Sequence, residues 1–96
     1  MTVRYTRPAL ADLDEILTYI EARSPQGARR VQARIRAVID LLVRHPLIGR
    51  RTDDPAIRRM LASPFPYLIF HEVTEAVIIH ALRHAVRDPA GMPGAT

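Results

Sequence analysis

Cysteine is absent from this chain of 96 residues, which excludes a disulfide framework and a thiolate metal site. Lysine is absent as well, since all fourteen basic residues are arginine. That removes Schiff-base catalysis, a phosphate-binding lysine of the Walker type and a lysine general base. Apolar runs reach six residues at most, against the roughly 18 that a membrane-spanning helix needs. Residues 1–30 carry no signal-peptide apolar stretch, so the expected compartment is the cytoplasm. Gly27 and Gly49 stand alone, so no glycine-rich loop cradles a phosphate. Aromatic side chains are few, namely Tyr5, Tyr19, Phe65, Tyr67 and Phe70.

What is present suits one folded unit. Hydrophobic residues make up 48% and charged residues 25% of the chain, which disfavours disorder for its body. A chain of this length buries only about 60–65% of its unfolded surface and has no room for a second core. The domain is expected over residues 1–88. Residues 89–96, Pro-Ala-Gly-Met-Pro-Gly-Ala-Thr, have the composition of a frayed tail.

Residues 2–6 are rich in β-formers and predict a short strand. Pro8 suits a first helical turn, and Leu10, Leu13, Leu17 and Ile20 recur at helical spacing. Asp12, Asp14, Glu15 and Glu21 fall off that stripe and predict an acidic outer surface. Ser24-Pro25 reads as an N-cap followed by a preorganised first position. The second helix carries the stripe Ala28, Val31, Ile35, Val38 and Leu42, with Arg29, Arg30, Arg34, Arg36 and Arg44 mostly opposite. The short connection predicts an antiparallel hairpin, with weak attraction between its acidic and basic surfaces. His45-Pro46 ends the second helix. A loop then runs through Asp54-Pro55, and strands are expected over 57–62, 67–73 and 76–83, joined by tight connections. The fold class is therefore α+β, with an N-terminal strand and an antiparallel helical hairpin packed on a small antiparallel β-sheet.

The four histidines, at 45, 71, 80 and 84, match no metal-ligand spacing. On a regular strand His80, Leu82 and His84 share a face, with the two histidines about 13 Å apart, so neither a metal nor a cofactor is expected. Ser24 and Ser63 sit beside prolines, where capping and turn formation account for them. The informative feature is basic. From Arg23 to Arg59 there are ten arginines against Asp40, Asp53 and Asp54, a local excess of seven. The candidate target-binding set is Arg50 and Arg51 in the loop, Arg58 and Arg59 on a strand, and Arg83, His84 and Arg87 at the last strand's end. Such a patch suits nucleic acid, a nucleoprotein or an acidic peptide. Alternatively, Arg87 pairs with Asp88, Glu72 or a helix carboxylate. Alternation separates Arg58 from Arg59, and Tyr67 from Phe70, so a base-stacking platform is not expected.

The order of strand, helical hairpin, Pro-x-x-Gly-Arg loop and meander ending in His-x-x-Arg-Asp resembles the RelE/ParE toxin superfamily of bacterial toxin–antitoxin modules. The matching segments are Ala11-Asp12-Leu13 with Tyr19-Ile20, Pro46-Leu47-Ile48-Gly49-Arg50, Tyr67-Leu68-Ile69-Phe70 and His84-Ala85-Val86-Arg87-Asp88. The endonuclease branch relies on basic residues, often lysines, commonly with a tyrosine near the C-terminus. This chain has no lysine and no tyrosine after Tyr67. The resemblance is therefore to the ParE-like branch, which implies a toxin with no catalytic residues and no cofactor. Such toxins bind and poison DNA gyrase until a ParD-like antitoxin wraps them, and a higher-order toxin–antitoxin hetero-oligomer is left open. ParE-like chains often carry an aromatic where His71 stands. Leu41, Leu47 and Ile48 are the candidate antitoxin-binding residues. The rival reading is a ribosome-dependent mRNA endonuclease in which His84 or His71 is the base and Arg83 or Arg87 stabilises the transition state. A third is an inactive homologue that only binds the antitoxin.

Overall fold

The computed structural model describes residues 1–86. The candidate Arg87, the expected domain limit at residue 88 and the tail 89–96 lie outside the described residues. The elements run β1 (Thr2–Tyr5), α1 (Arg7–Glu21), α2 (Pro25–Arg44), β2 (Arg50–Arg51), β3 (Ile57–Leu61), β4 (Tyr67–Val73) and β5 (Ala76–His84). They form one five-stranded sheet in the order β1-β5-β4-β3-β2, covered on one face by the helical hairpin.

Each helix starts where a hydroxyl satisfies an otherwise orphaned N–H. Thr6 Oγ1 accepts from Ala9 N at 3.1 Å, and Ser24 Oγ accepts from Gly27 N at 2.9 Å. Thr6 also donates to the His80 carbonyl at 3.1 Å, so the cap that begins α1 ties it to β5. α2 supplies most of the helical core through Val31, Ile35, Val38, Ile39 and Leu42, packed on Tyr67, Ile69, Val77, Ile79 and Leu82 of the sheet.

Strands β3 to β5 are antiparallel, as expected, and β2 adds to β3 in the same sense, but β1 joins β5 in parallel, Thr2 opposite Ala76 through Tyr5 opposite Ile79, so the sheet is mixed. The helical hairpin acts as the long crossover that parallel neighbours require. Arg50 and Arg51 belong to an edge strand rather than a loop. On α1 the inward stripe is Ala9, Leu13, Ile16, Leu17 and Ile20, whereas Leu10 is 51% exposed. Asp12 is not part of an outer acidic surface, because its carboxylate faces β5. The charged helix surfaces form no ion pair with each other among the described residues. Instead Arg34 Nε donates to the Ser63 carbonyl at 2.6 Å, and the Arg23 guanidinium lies 3.8 Å over the Tyr19 ring.

Candidate functional site

The β2–β3 edge gathers four arginines by register. Arg50 lies opposite Arg59, and Arg51 opposite Arg58, so alternation places one like-charged pair on each face of the ribbon. Like charges directly opposite each other destabilise a sheet. Among the described residues the ion pairs within 4 Å are Asp12–Arg83 and Glu72–His80, so none of these four guanidiniums meets a carboxylate. Charge on a two-residue edge strand also blunts edge-to-edge pairing. That explains Arg50 and Arg51, which are exposed, better than Arg58 and Arg59, which are half-buried. Gly49 makes the arrangement possible. Its φ of +98° is left-handed, and a Cβ there would lie 2.7 Å from the Arg59 carbonyl oxygen. Its own carbonyl accepts from Arg58 Nη1 at 3.3 Å.

On the sheet face away from the helices, Arg50 and Arg59 line a groove of about 420 Å³ whose remaining walls are Gly49, Met60, Leu61, Leu68 and Ala85. Arg59 Nε is buried there without a hydrogen-bond partner among the described residues.

The end of β5 lies three strand spacings or about 14 Å from β2, and only Ala85, just past it, reaches the Arg50/Arg59 groove. β1 covers β5 only as far as Ile79. Beyond that point the Asp12 carboxylate substitutes for a neighbouring strand, accepting from Leu82 N at 3.1 Å and from Arg83 Nη1. The His84 ring stands edge-on to Tyr67, with centroids 5.4 Å apart, and its Nδ1 accepts from Val86 N. The structure thus divides the expected basic set. Arg50, Arg51, Arg58 and Arg59 form one group, while Arg83, held by Asp12, and His84 line a smaller groove of about 240 Å³ with Glu15 and Tyr19.

His71 and His80 differ from the sequence reading. His71 is 0% exposed, and among the described residues neither ring nitrogen makes a well-formed hydrogen bond, the backbone at Pro46 and Ile69 being its nearest polar company, so it does not present a base at the surface. Burial pushes its pKa below the usual histidine value; the backbone at Pro46 opposes that shift, Arg58 adds to it, and the Ile69 backbone opposes it further. His80 does not share a face with Leu82 and His84. A register shift at Phe70/His71 leaves Ile79 opposite His71 and Ala81 opposite Phe70, with His80 as the extra residue. The bulge turns His80 to the open face, where Nε2 lies 2.7 Å from Glu72 Oε1. Among the described residues no cluster of three or more histidines and carboxylates suits a metal ion.

A lowered native pKa means that the unfolded chain binds the extra proton first. Below about pH 6.5, stability should therefore fall by up to about 1.4 kcal/mol per pH unit until the native His71 pKa is reached. Replacing His71→Leu should flatten this part of the profile. It should also raise stability at neutral pH by about 1 kcal/mol, by removing an unsatisfied polar ring. Urea midpoints at pH 7.5 and pH 5.5 check both, and parallel profiles for the two proteins would refute the assignment.

Of the apolar candidates, Leu47 is 67% exposed, Leu41 is half-buried, and Ile48 packs against the core.

The chain matches the family described as ParE toxin of type II toxin-antitoxin system, parDE, over residues 3–89. It is 37% identical over 83 residues to the protein named "Putative toxin Y4kP" from Sinorhizobium fredii, covering 86% of each chain. It is 36% identical over 86 residues to Toxin RelE2 from Caulobacter vibrioides, covering 88% of this chain and 96% of that one. A solved structure of the chromosomal ParDE TA system from P. aeruginosa superposes with a TM-score of 0.76 at 24% identity, over 88% of this chain and 95% of that one, a likeness of fold. With a family match across nearly the whole length and two curated toxins above one-third identity, the chain belongs to the ParE toxin family of type II toxin–antitoxin systems.

Proposed function

We propose that the chain is a toxin that acts by binding rather than by catalysis, with DNA gyrase as its target and a ParD-like antitoxin as its neutralising partner. The observation that carries this reading is the set of four arginines at the β2–β3 edge that meet no carboxylate within 4 Å among the described residues. Arginine keeps its proton at any physiological pH, so it clamps anions but cannot act as a general base. Family membership supports gyrase and a ParD-like protein as the two partners. No helix among the described residues is long and apolar enough to cross a membrane, and gyrase as target places the activity in the cytoplasm. In this reading the β2–β3 edge meets the target through Arg50 and Arg59 on one face and Arg51 and Arg58 on the other, with Arg83 and His84 as a second, smaller contact, and Leu47 belongs to the antitoxin surface.

Purified toxin is expected to inhibit gyrase supercoiling, and the double reversal Arg50→Glu/Arg51→Glu, on an exposed edge, should lower potency by about tenfold or more. Unchanged potency in a folded double variant would refute the role of this edge.

The endonuclease reading keeps one specific support, the Glu72–His80 pair on the open face. A histidine beside a carboxylate is a better-placed base than buried His71. Growth arrest that persists in a folded His80→Gln/His84→Gln variant would dismiss it.

A further inference from the structure

We propose that the groove between Arg50, Arg59, Leu61 and Leu68 is the seat of an extended acidic and apolar segment of a protein partner, whose carboxylate bridges the two arginines. The inference rests on the antitoxin reading above and specifies the chemistry of that partner and how it acts: it occupies arginines that the target would otherwise meet.

Three observations point to such an occupant. Arg50 and Arg59 are cross-strand neighbours with no carboxylate within 4 Å among the described residues, so the groove already holds two positive charges that one anion would relieve. Arg59 Nε is buried there with no hydrogen-bond partner among the described residues, a donor desolvated before any ligand arrives. The rest of the wall is apolar, and Leu61 is 44% exposed.

The spacing defines the ligand further. Leu61 follows Arg59 by two residues on the same strand, about 7 Å further on, with Leu68 opposite Leu61 in register. An extended segment repeats its side chains on one face at the same interval, so a carboxylate at one position and an apolar side chain two residues on would fill both ends of the groove. Nucleic acid fits less well. No aromatic ring lines this groove to stack a base, and its walls beyond the two arginines are apolar, which offers a phosphate backbone nothing further.

The test uses the whole protein and a fluorescein-labelled peptide repeating Glu-Ser-Leu-Ser, compared with a peptide of the same composition repeating Glu-Leu-Ser-Ser. The first should bind and the second, whose Glu and Leu fall on opposite faces, should bind more weakly. Arg59→Gln and, independently, the exposed Arg50→Gln should each weaken binding by about tenfold. Arg30→Gln on α2, which makes the same change in net charge, should leave it unaltered. The Arg59 Nε–Hε resonance should shift on addition of the peptide. Equal binding of both peptides, or indifference to both groove substitutions, would overturn the proposal. So would oligothymidylate binding at Arg50 and Arg59 without peptide binding, or a dimer of this chain that Arg50→Gln dissolves. The readout is binding alone, so a toxin that leaves gyrase untouched passes or fails it on the same terms.

Discussion

Replacing Gly49→Ala should lower the unfolding free energy by about 3 kcal/mol, which corresponds to a fall in melting temperature of about 15 °C for a domain of this size. Two costs combine. The backbone at φ +98° is open to glycine and strained for alanine, and the new methyl would meet the Arg59 carbonyl oxygen at 2.7 Å. That carbonyl belongs to the β3 backbone in register with β2, so it cannot turn aside as a flexible side chain would. Relief requires the loop from Pro46 to Gly49 to move away from β3, which uncovers His71, whose Cε1 lies 3.4 Å from the same Cβ position. The substitution should therefore disturb amide resonances of Arg58, Arg59 and His71 before those of α1. A variant that melts with the wild-type protein would show that the loop is not held as described.

Asp12→Ala should cost about 2 to 3 kcal/mol. Two charge-assisted bonds are lost together, one from Leu82 N and one from Arg83. The Leu82 amide is the more serious loss, because β1 has already ended and no other strand of the described residues lies on that side to accept it. Arg83 is about one-third exposed and recovers part of its solvation from water, which holds the figure below that of a fully buried pair. Asp12→Asn separates the two contributions, since an amide oxygen still accepts from Leu82 N but offers Arg83 no charge. It should fall between the wild-type protein and the alanine variant. Thermal melts of the three proteins in low and high salt test this, and equal melting temperatures would contradict it.

These two residues also show what the sequence reveals and what it conceals. Local signals were readable: Ser24-Pro25 and His45-Pro46 bound α2 where the structure places its ends, and the stripe from Ala28 to Leu42 is buried throughout. The limits of β4 are equally legible, because a β-rich run between Pro66 and Thr74 leaves little choice. Relations between distant segments were not readable. Asp12 looks like one of several outward carboxylates until β1 is seen to stop at Tyr5 and leave the Leu82 amide in need of an acceptor. Strict alternation assigns His80 to the wrong face, because a bulge is a property of two strands together and leaves no mark on one. The parallel pairing of β1 with β5 likewise depends on where the hairpin returns the chain. The arginine edge was half legible. Alternation separates Arg58 from Arg59, and the same rule places Leu61 beside Arg59, but the pairing of Arg50 with Arg59 requires the register.

In the reading proposed above, the arginines of the β2–β3 edge grip a partner rather than cut a strand. One measurement tests that most directly: supercoiling by purified gyrase and the integrity of transcripts on translating ribosomes, followed at the same concentrations of wild-type toxin. Supercoiling should stop while transcripts remain whole. Sequence-dependent transcript scission with supercoiling unaffected would contradict the account.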